Sequence, residues 1–385
     1  MIVTILKFGG SNFLGPEGYD RVARHLAQRR AAGENKIIAV VSAMKGETDS
    51  LKAQMLAVNK EASPSNLDAA LAIGEMKSVC LLEAAVSRLG ISVTSLNGYG
   101  LGIRTNSDFG RATVESVDPR RIRSALQEHD VVIAAGAQAI DQSGRVTFLG
   151  RNTSDLTAVV IASMLEEHAC EIYSDVPGVS TGDPNIIPEA LLIPEIGDMT
   201  IARMSRYGAK VLHHGAVEFA AKYGVTIFCE SLTNDGVVTG TTVTGHGDAR
   251  SVTVARDAVV ISLASVAERD NLRALLDQHG ITTIDVNRND RPGLCVMSDI
   301  DFAKQLVART CTPSISIQST TAVTELDSSV LCVTSTAIMS APFRWRESST
   351  NKTVSGDYLN PFKPRAAKPP LFCEERRATV CQVGT

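Results

Sequence analysis

The sequence predicts an α/β domain with a mostly parallel sheet, followed by a smaller α+β module. Three observations carry this. Short apolar runs rich in β-branched residues alternate with stretches of helical spacing through the first part of the chain. The first of these runs ends in a glycine turn, Lys7-Phe-Gly-Gly10. The pattern then shifts after a polar segment, Gly245-His-Gly-Asp-Ala-Arg250. A length of 385 residues suits two domains rather than one.

Residues 2–8 read as a strand running into that turn. Residues 17–31 follow with Val22, Leu26 and Ala27 on one helical face. Ile37–Ser42 and Val131–Ala135 are continuous apolar runs, as expected of strands buried on both faces. Leu67–Leu89 is a long helical stretch, and Ser92–Leu96 a strand. A strand-like Val-Thr-Phe-Leu precedes Gly150. Leu156–Leu165 and Met199–Tyr207 read as helices, Cys170–Ser174 and Val225–Phe228 as strands. Beyond the linker come a strand over 251–263, a helix over 268–279, strands over 282–286 and 294–298, and a helix over 300–307. Residues 314–340, rich in Ser, Thr and Val, read as further strands. From 341 the pattern dissolves into a Pro-rich tail with eight Lys/Arg against four Asp/Glu, expected to be disordered.

Composition narrows the function classes. Hydrophobic residues at 44% fill real cores, and a net charge of −4 points to neither a nucleic-acid nor a membrane partner. The N-terminus lacks the basic start and long apolar core of a signal peptide, and no run is long enough to span a bilayer. Eight cysteines without a Cys-x-x-Cys pair fit reduced thiols, so a cytoplasmic location is expected and a zinc site is not.

Four segments carry chemistry. In Lys7-Phe-Gly-Gly-Ser11, glycines let backbone N–H groups approach phosphate oxygens and the lysine adds a point charge; taken alone, the motif is more often a plain tight turn with an exposed lysine. Gly150-Arg-Asn-Thr-Ser-Asp155 precedes an apolar helix that Thr153 or Ser154 would cap. Its start suits an anion, with Arg151 gripping a carboxylate, or it is merely a helix N-terminus. Ser174-Asp-Val-Pro-Gly178 follows a strand, where α/β sheets open their nucleotide pockets and where Pro-Gly also marks a simple turn. Lys210, in Gly208-Ala-Lys210, either adds a second cation or complements a helix C-terminus.

Taken in order, Lys-Phe-Gly-Gly, Val-Ser-Ala-Met, Gly-Glu, Gly-Arg-x-x-Ser-Asp, Ser-Asp-Val-Pro-Gly, Asp-Pro and Gly-Ala-Lys-Val-Leu-His resemble the aspartate kinases, within the amino acid kinase family. The resemblance covers about residues 3–243, and more weakly the ACT regulatory modules thereafter. It implies a three-layer αβα catalytic domain over 1–245, an ACT-like domain over 251–340 and a tail over 341–385. It implies phosphoryl transfer from ATP, with Mg2+ carried on the phosphates and no protein metal site, to the side-chain carboxylate of L-aspartate. Lys7 and Lys210 would neutralise the phosphates, and Gly9, Gly10 and Ser11 would cradle the γ-phosphate. Ser42 and Thr48 would line the amino-acid site, Glu75 would bind the ammonium and Arg151 would clamp the α-carboxylate. Asp155 would organise the lysines, while Ser174, Asp175 and Asp183 would contact nucleotide. A homodimer through the C-terminal half is the implied partner.

The chain departs from the family pattern at named positions. Asn12 stands where a serine is usual, and Asn152-Thr153 replace two glycines. Ser180 and Asn185 replace an aromatic and a basic residue, and His214 follows His213 where proline is usual. The turn Ala264-Ser-Val-Ala-Glu268 lacks the glycines of an ACT ligand turn. Two alternatives therefore stand beside aspartate phosphorylation: a kinase for an aspartate analogue, and an inactive homologue that serves as a binding or regulatory subunit. If Lys7 acts only on phosphate, Lys7→Ala should lower the rate far more than the stability. If Asn152 and Thr153 hinder the reaction, restoring both glycines should raise turnover.

Overall fold

A computed structural model describes residues 2–150, 152–288, 290–310 and 315–326, with the backbone of 333–339. Arg151 and the tail over 341–385 lie outside the described residues. The chain forms two compact units. Residues up to 179, 192–205 and 210–248 make one; 180–191, 206–209 and the described chain from 249 make the other. The division is thus not a single cut near 245, because two short earlier segments belong to the second unit.

The first unit runs β1 (Thr4–Phe8), α1 (Pro16–Ala31), β2 (Ile37–Val41), α2 (Glu47–Val58), α3 (Pro64–Ser87), β3 (Val93–Leu96), β4 (Ile103–Thr105), β5 (Val114–Val117), α4 (Arg120–Glu128), β6 (Val131–Ala135), β7 (Gln138–Asp141), β8 (Val146–Phe148), α5 (Ser154–Leu165), β9 (Ala169–Ser174), β10 (Glu195–Gly197), α6 (Asp198–Arg206), α7 (His214–Tyr223), β11 (Thr226–Thr233) and β12 (Gly236–Thr244). Eight strands form the main sheet in the order β10-β12-β11-β9-β1-β2-β6-β3. Every pairing in it is parallel except the β11/β12 hairpin.

Side-chain alternation sorts the two faces of this sheet. Leu6 and Phe8 join Val22 and Leu26 of α1 and Val79, Leu82 and Val86 of α3 in one core. Each such side chain, fully buried, contributes about 1.5–3 kcal/mol. Ile5 and Lys7 turn to the opposite face, where α5 packs on β1, β2 and β9 and also against α7. Helices on both faces of a mostly parallel sheet are the three-layer α/β architecture expected. A second, smaller sheet, β5-β4-β7-β8, packs its β8 on α3. The sequence reading missed α2, α4, α7, β10 and all of this small sheet except β8, and stopped short of the β11/β12 hairpin.

The hairpin carries a β-bulge. Cys229 pairs with Thr241 but Glu230 pairs with Thr239, which leaves Gly240 as the extra residue. A Cβ on Gly240 would stand 1.2 Å from the carbonyl oxygen of Pro177. Val179 N donates to Thr241 Oγ1 at 2.8 Å, and Thr241 Oγ1 donates to the Ile193 carbonyl at 2.6 Å. The Ser174–Val179 segment is therefore locked to the hairpin.

The second unit contains β13 (Ser251–Ala255), β14 (Val259–Ser262), α8 (Val266–Gln278), β15 (Thr283–Arg288), β16 (Arg291–Val296), α9 (Ile300–Thr310), β17 (Ser316–Ser319), β18 (Thr321–Leu326) and β19 (Val333–Met339). The run expected as one strand over 251–263 is broken at Arg256-Asp257 into β13 and β14. From β14 to β17 the order is βαββαβ, and the strands lie β15-β16-β14-β17, all antiparallel. Val259, Ile261, Leu294 and Val296 meet Leu272, Leu276 and Leu306 of the two helices in one core. At the β14–α8 turn, Ser265 Oγ accepts from Glu268 N at 3.2 Å and Glu268 Oε2 accepts from Ala264 N at 3.0 Å. This reciprocal cap ties the turn's own amides to its own side chains. β13, β18 and β19 form a separate antiparallel sheet.

Among the described residues, no helix is long and apolar enough to cross a membrane.

Candidate active site

The site is built where β1 ends. Lys7 is the penultimate residue of β1, with Val40 and Ile172 as its flanking register partners. Gly10–Asn12 form a single 3-10 turn beyond it. The amides that open such a turn have no partner inside it and are available to an acceptor. Gly10 must be glycine, because a Cβ there would stand 2.6 Å from the Ala43 carbonyl oxygen.

Asn12 is buried and holds this turn in place. Its Nδ2 donates to Tyr173 O at 3.1 Å and Gly9 O at 3.3 Å. The Tyr173 carbonyl also accepts from Gly9 N at 3.0 Å. Beneath it, the Tyr173 ring stacks on Phe8, and its hydroxyl donates to Glu171, which Arg29 grips with two guanidinium nitrogens. Burial and the Glu171 carboxylate together push the Tyr173 phenol well above its ordinary pKa.

Lys7 Nζ lies 2.6 Å from Asp155 Oδ1, and both side chains are almost fully buried. The contact is ionic and off the hydrogen-bond axis. Asp155 sits in the first turn of α5, and its Oδ2 accepts from His213 N at 3.4 Å. His213 in turn N-caps α7, its Nδ1 accepting from Gly215 N. His214 is buried, 4% exposed. Lys210 is exposed and lies three residues before the amide that reaches Asp155.

The second half of the site is reached through Ser42. Its amide donates to Phe8 O at 3.1 Å and its hydroxyl to Ser154 Oγ at 2.9 Å. Next along the chain, Ala43 N donates to Glu75 Oε1 at 3.3 Å. Glu75, on α3, is 3% exposed, and its Oε2 has no hydrogen-bond partner among the described residues. Burial raises this carboxyl to about 7. Thr48, in the first turn of α2, is half-buried.

In the loop before α5, Gly150 has φ +119° and Asn152 φ +60°. The left-handed position thus falls on asparagine, which tolerates it. Thr153 has φ −94° and is unstrained. It occupies the N-cap position of α5 without a side-chain cap; its buried Oγ1 donates instead to Gly150 O at 2.6 Å. Ser154, already inside the helix, faces Ser42.

Lys7, Gly9–Ser11, Ser42, Glu75 and Asp155 are therefore joined through bonded neighbours. Ser174 Oγ donates to Val176 O and accepts from Val176 N, which closes its own turn, and Asp175 is exposed in that turn. Asp183 belongs to the second unit, where its Oδ1 accepts from Asn185 N and Nδ2. Sequence reasoning missed the holding role of Asn12, the Ser154 hydroxyl, and Asp68 on α3. Asp68 offered one signal: it precedes Glu75 by seven residues, which puts both acids on one helix face.

Among the described residues, no group of three or more His, Cys, Asp or Glu side chains could hold a metal ion. Cys170 and Cys229, buried beneath the site, are pushed up by burial, the Cys229 thiol to about 12.

Residues 3–231 match the amino acid kinase family. An aspartate kinase of Pseudomonas putida is 36% identical over 227 residues, 59% of this chain and 55% of that protein. An aspartokinase of Mycolicibacterium smegmatis is 37% identical over 236 residues, 61% of this chain and 56% of that protein. The chain thus spans about half the length of the curated relatives it matches. Among solved structures, E. coli aspartokinase III in complex with aspartate and ADP is 20% identical, with a TM-score of 0.63, covering 85% of this chain and 88% of that one. That likeness is one of fold. With the family match over most of the first unit, and with the glycine turn, the buried Lys7–Asp155 pair and the sheet order all in place, this chain belongs to the amino acid kinase family.

Proposed function

We propose that this chain transfers the γ-phosphoryl group of ATP to the side-chain carboxylate of L-aspartate. The observation that carries the amino-acid reading is Glu75: a buried carboxylate with one oxygen on the Ala43 amide and the other unpartnered. An ammonium group is the ligand such an oxygen fits best. The curated relatives named aspartate kinase support the choice of amino acid.

In this reading Glu75 takes the substrate ammonium, Ser42 and Thr48 line its pocket, and Arg151 clamps the α-carboxylate. Gly9, Gly10 and Ser11 cradle the γ-phosphate, with the Gly10 and Ser11 amides as donors while the Gly9 amide stays on Tyr173 O. A carboxylate oxygen of the substrate forms a bond to the γ-phosphorus as the bond to the bridging oxygen breaks. ADP leaves with that electron pair, and an acyl phosphate remains. Lys7 and Lys210 offset the charge on the transferring group, and Asp155 fixes Lys7 through the ion pair and the Lys210 loop through the His213 amide. Ser174, Asp175 and Asp183 would contact the nucleotide. Magnesium would arrive on the triphosphate, held by phosphate oxygens, and supply charge neutralisation there. The βαββαβ part of the second unit is proposed as an ACT-like module that pairs two copies of the chain, which light scattering would test.

One observation favours an aspartate analogue as a second reading. Asn152 and the buried Thr153 give the loop before α5 side chains where glycines are usual. The deciding experiment is ADP release with MgATP and L-aspartate, with hydroxylamine present to trap the acyl phosphate as a hydroxamate. A hydroxamate signal lost in Lys7→Ala supports aspartate. ATP binding without that signal moves the substrate to an analogue.

A further inference from the structure

We propose that Asp68, outside every motif described above, is the positioning residue for the loop that starts at Gly150, and through it for the carboxylate end of the amino-acid substrate. This rests on the kinase reading of the same site.

Asp68 lies on α3 and is 1% exposed. Its Oδ2 accepts from two backbone amides that belong to different hairpins. Phe148 N, at the end of β8, lies at 2.8 Å, and Gly110 N, from the β4–β5 connection, at 2.9 Å. Phe148 is two residues before Gly150, and its carbonyl accepts from Ala112 N at 3.0 Å. The two segments also meet at the loop itself, since a Cβ on Gly150 would stand 3.7 Å from the Gly110 carbonyl oxygen. From Gly110 the hold extends further. Arg111 Nη2 is 3.4 Å from His214 Nε2, and the amide of the adjacent His213 reaches Asp155. One carboxylate thus pins the entry to the Gly150–Asp155 loop and the segment that leans on the residues beyond it.

A carboxylate is a costly residue for this place. Among the described residues Asp68 forms no ion pair, and burial raises its carboxyl to about 7. An apolar side chain would fill the position without that penalty. What the carboxylate supplies is an acceptor oxygen that two amides can share, with short and directional bonds.

The test compares the full chain with Asp68→Ala and Asp68→Asn in three measurements: KM for aspartate, KM for ATP, and amide hydrogen exchange in segments 106–112 and 146–150. Asp68→Ala should raise KM for aspartate by about tenfold or more while KM for ATP stays within roughly twofold, since sub-ångström misplacement acts on the group it misplaces. Exchange should quicken in both segments. Asp68→Asn should restore both readouts, because one carboxamide oxygen can accept the same two amides. A purely structural role would lower thermal stability without splitting the two KM values. An equal rise in both, or in neither, overturns the proposal. Should Asp68→Ala not fold, Asp68→Ser, whose hydroxyl is too short to reach both amides, is read in the same way. If the native chain shows no Lys7-dependent turnover, the kinase reading fails by itself. The hold is then judged on exchange: quickened exchange in the alanine variant supports it, and unchanged exchange overturns it.

Discussion

Lys7 Nζ and Asp155 Oδ1 lie 2.6 Å apart in a place that solvent barely reaches. The lysine is therefore structural, whatever it does in the proposed chemistry. Lys7→Ala leaves a buried carboxylate without its cation, which costs about 3–5 kcal/mol. The simple expectation that this substitution spares stability does not hold. Lys7→Ala should lose both turnover and thermal stability, while Lys7→Ala with Asp155→Ala should regain part of the stability and none of the turnover. Thermal melts alongside the hydroxamate assay separate the two roles.

Asn12 ties the glycine turn after β1 to β9 through two side-chain hydrogen bonds, to Gly9 O and Tyr173 O. Asn12→Leu keeps much of the volume and removes both, at about 0.5–1.5 kcal/mol each plus the cost of unsatisfied carbonyls. KM for ATP should rise several-fold, roughly the effect of one or two such bonds, while KM for aspartate stays near its native value. An unchanged KM for ATP would detach the turn from nucleotide binding.

The loop before α5 answers the question of its missing glycines. The left-handed position falls on Asn152, and Thr153 is unstrained. Asn152→Gly should therefore change stability by less than about 1 kcal/mol. Thr153→Gly removes the bond to Gly150 O and adds backbone freedom, and should cost about 1–2 kcal/mol. Restoring both glycines should not raise aspartate turnover, because no strain is present to relieve. Steady-state kinetics on the two single variants and the double variant decide this.

Glu75 gives a pH dependence with a definite sign. Its carboxyl is raised by burial to about 7, and only the ionised form attracts an ammonium. KM for aspartate should rise as pH falls below about 7, approaching tenfold per unit, and Glu75→Gln should abolish the dependence. Stability runs the opposite way. A folded-state pKa above the unfolded value means that protons favour the fold. The contribution is full below the unfolded pKa and is lost as pH rises through about 7. Glu75→Gln should therefore raise the melting temperature relative to the native chain at pH 8 and not at pH 4.

The central strands were legible because strands covered on both faces carry nothing but apolar residues, as in Ile37–Val41 and Val131–Ala135. Of the small sheet only β8 showed, as the strand-like run before Gly150; β4, three residues long, is too short for a period to appear. α2 has no fully buried residue, so no apolar face marks it. α4 did carry a signal, Ile122 and Leu126 four apart, but inside nine residues dominated by charge. In the site, Lys7, Glu75 and Asp155 could be read because each stands in a short local pattern. Asn12 could not, because its Tyr173 partner lies 161 residues away, and Asp68 showed only its spacing from Glu75, its Phe148 partner lying 80 residues on.

The bulge at Gly240 has a dynamic consequence. The Pro177 carbonyl rests where any other residue would place its first side-chain atom, and Val179 N is bonded to Thr241. The segment after β9 cannot swing out unless the β11/β12 hairpin peels from the sheet with it. The Val179 amide should then exchange with solvent only in the rare openings that also release the hairpin. The Ser174–Val179 segment and the hairpin should therefore move as one body.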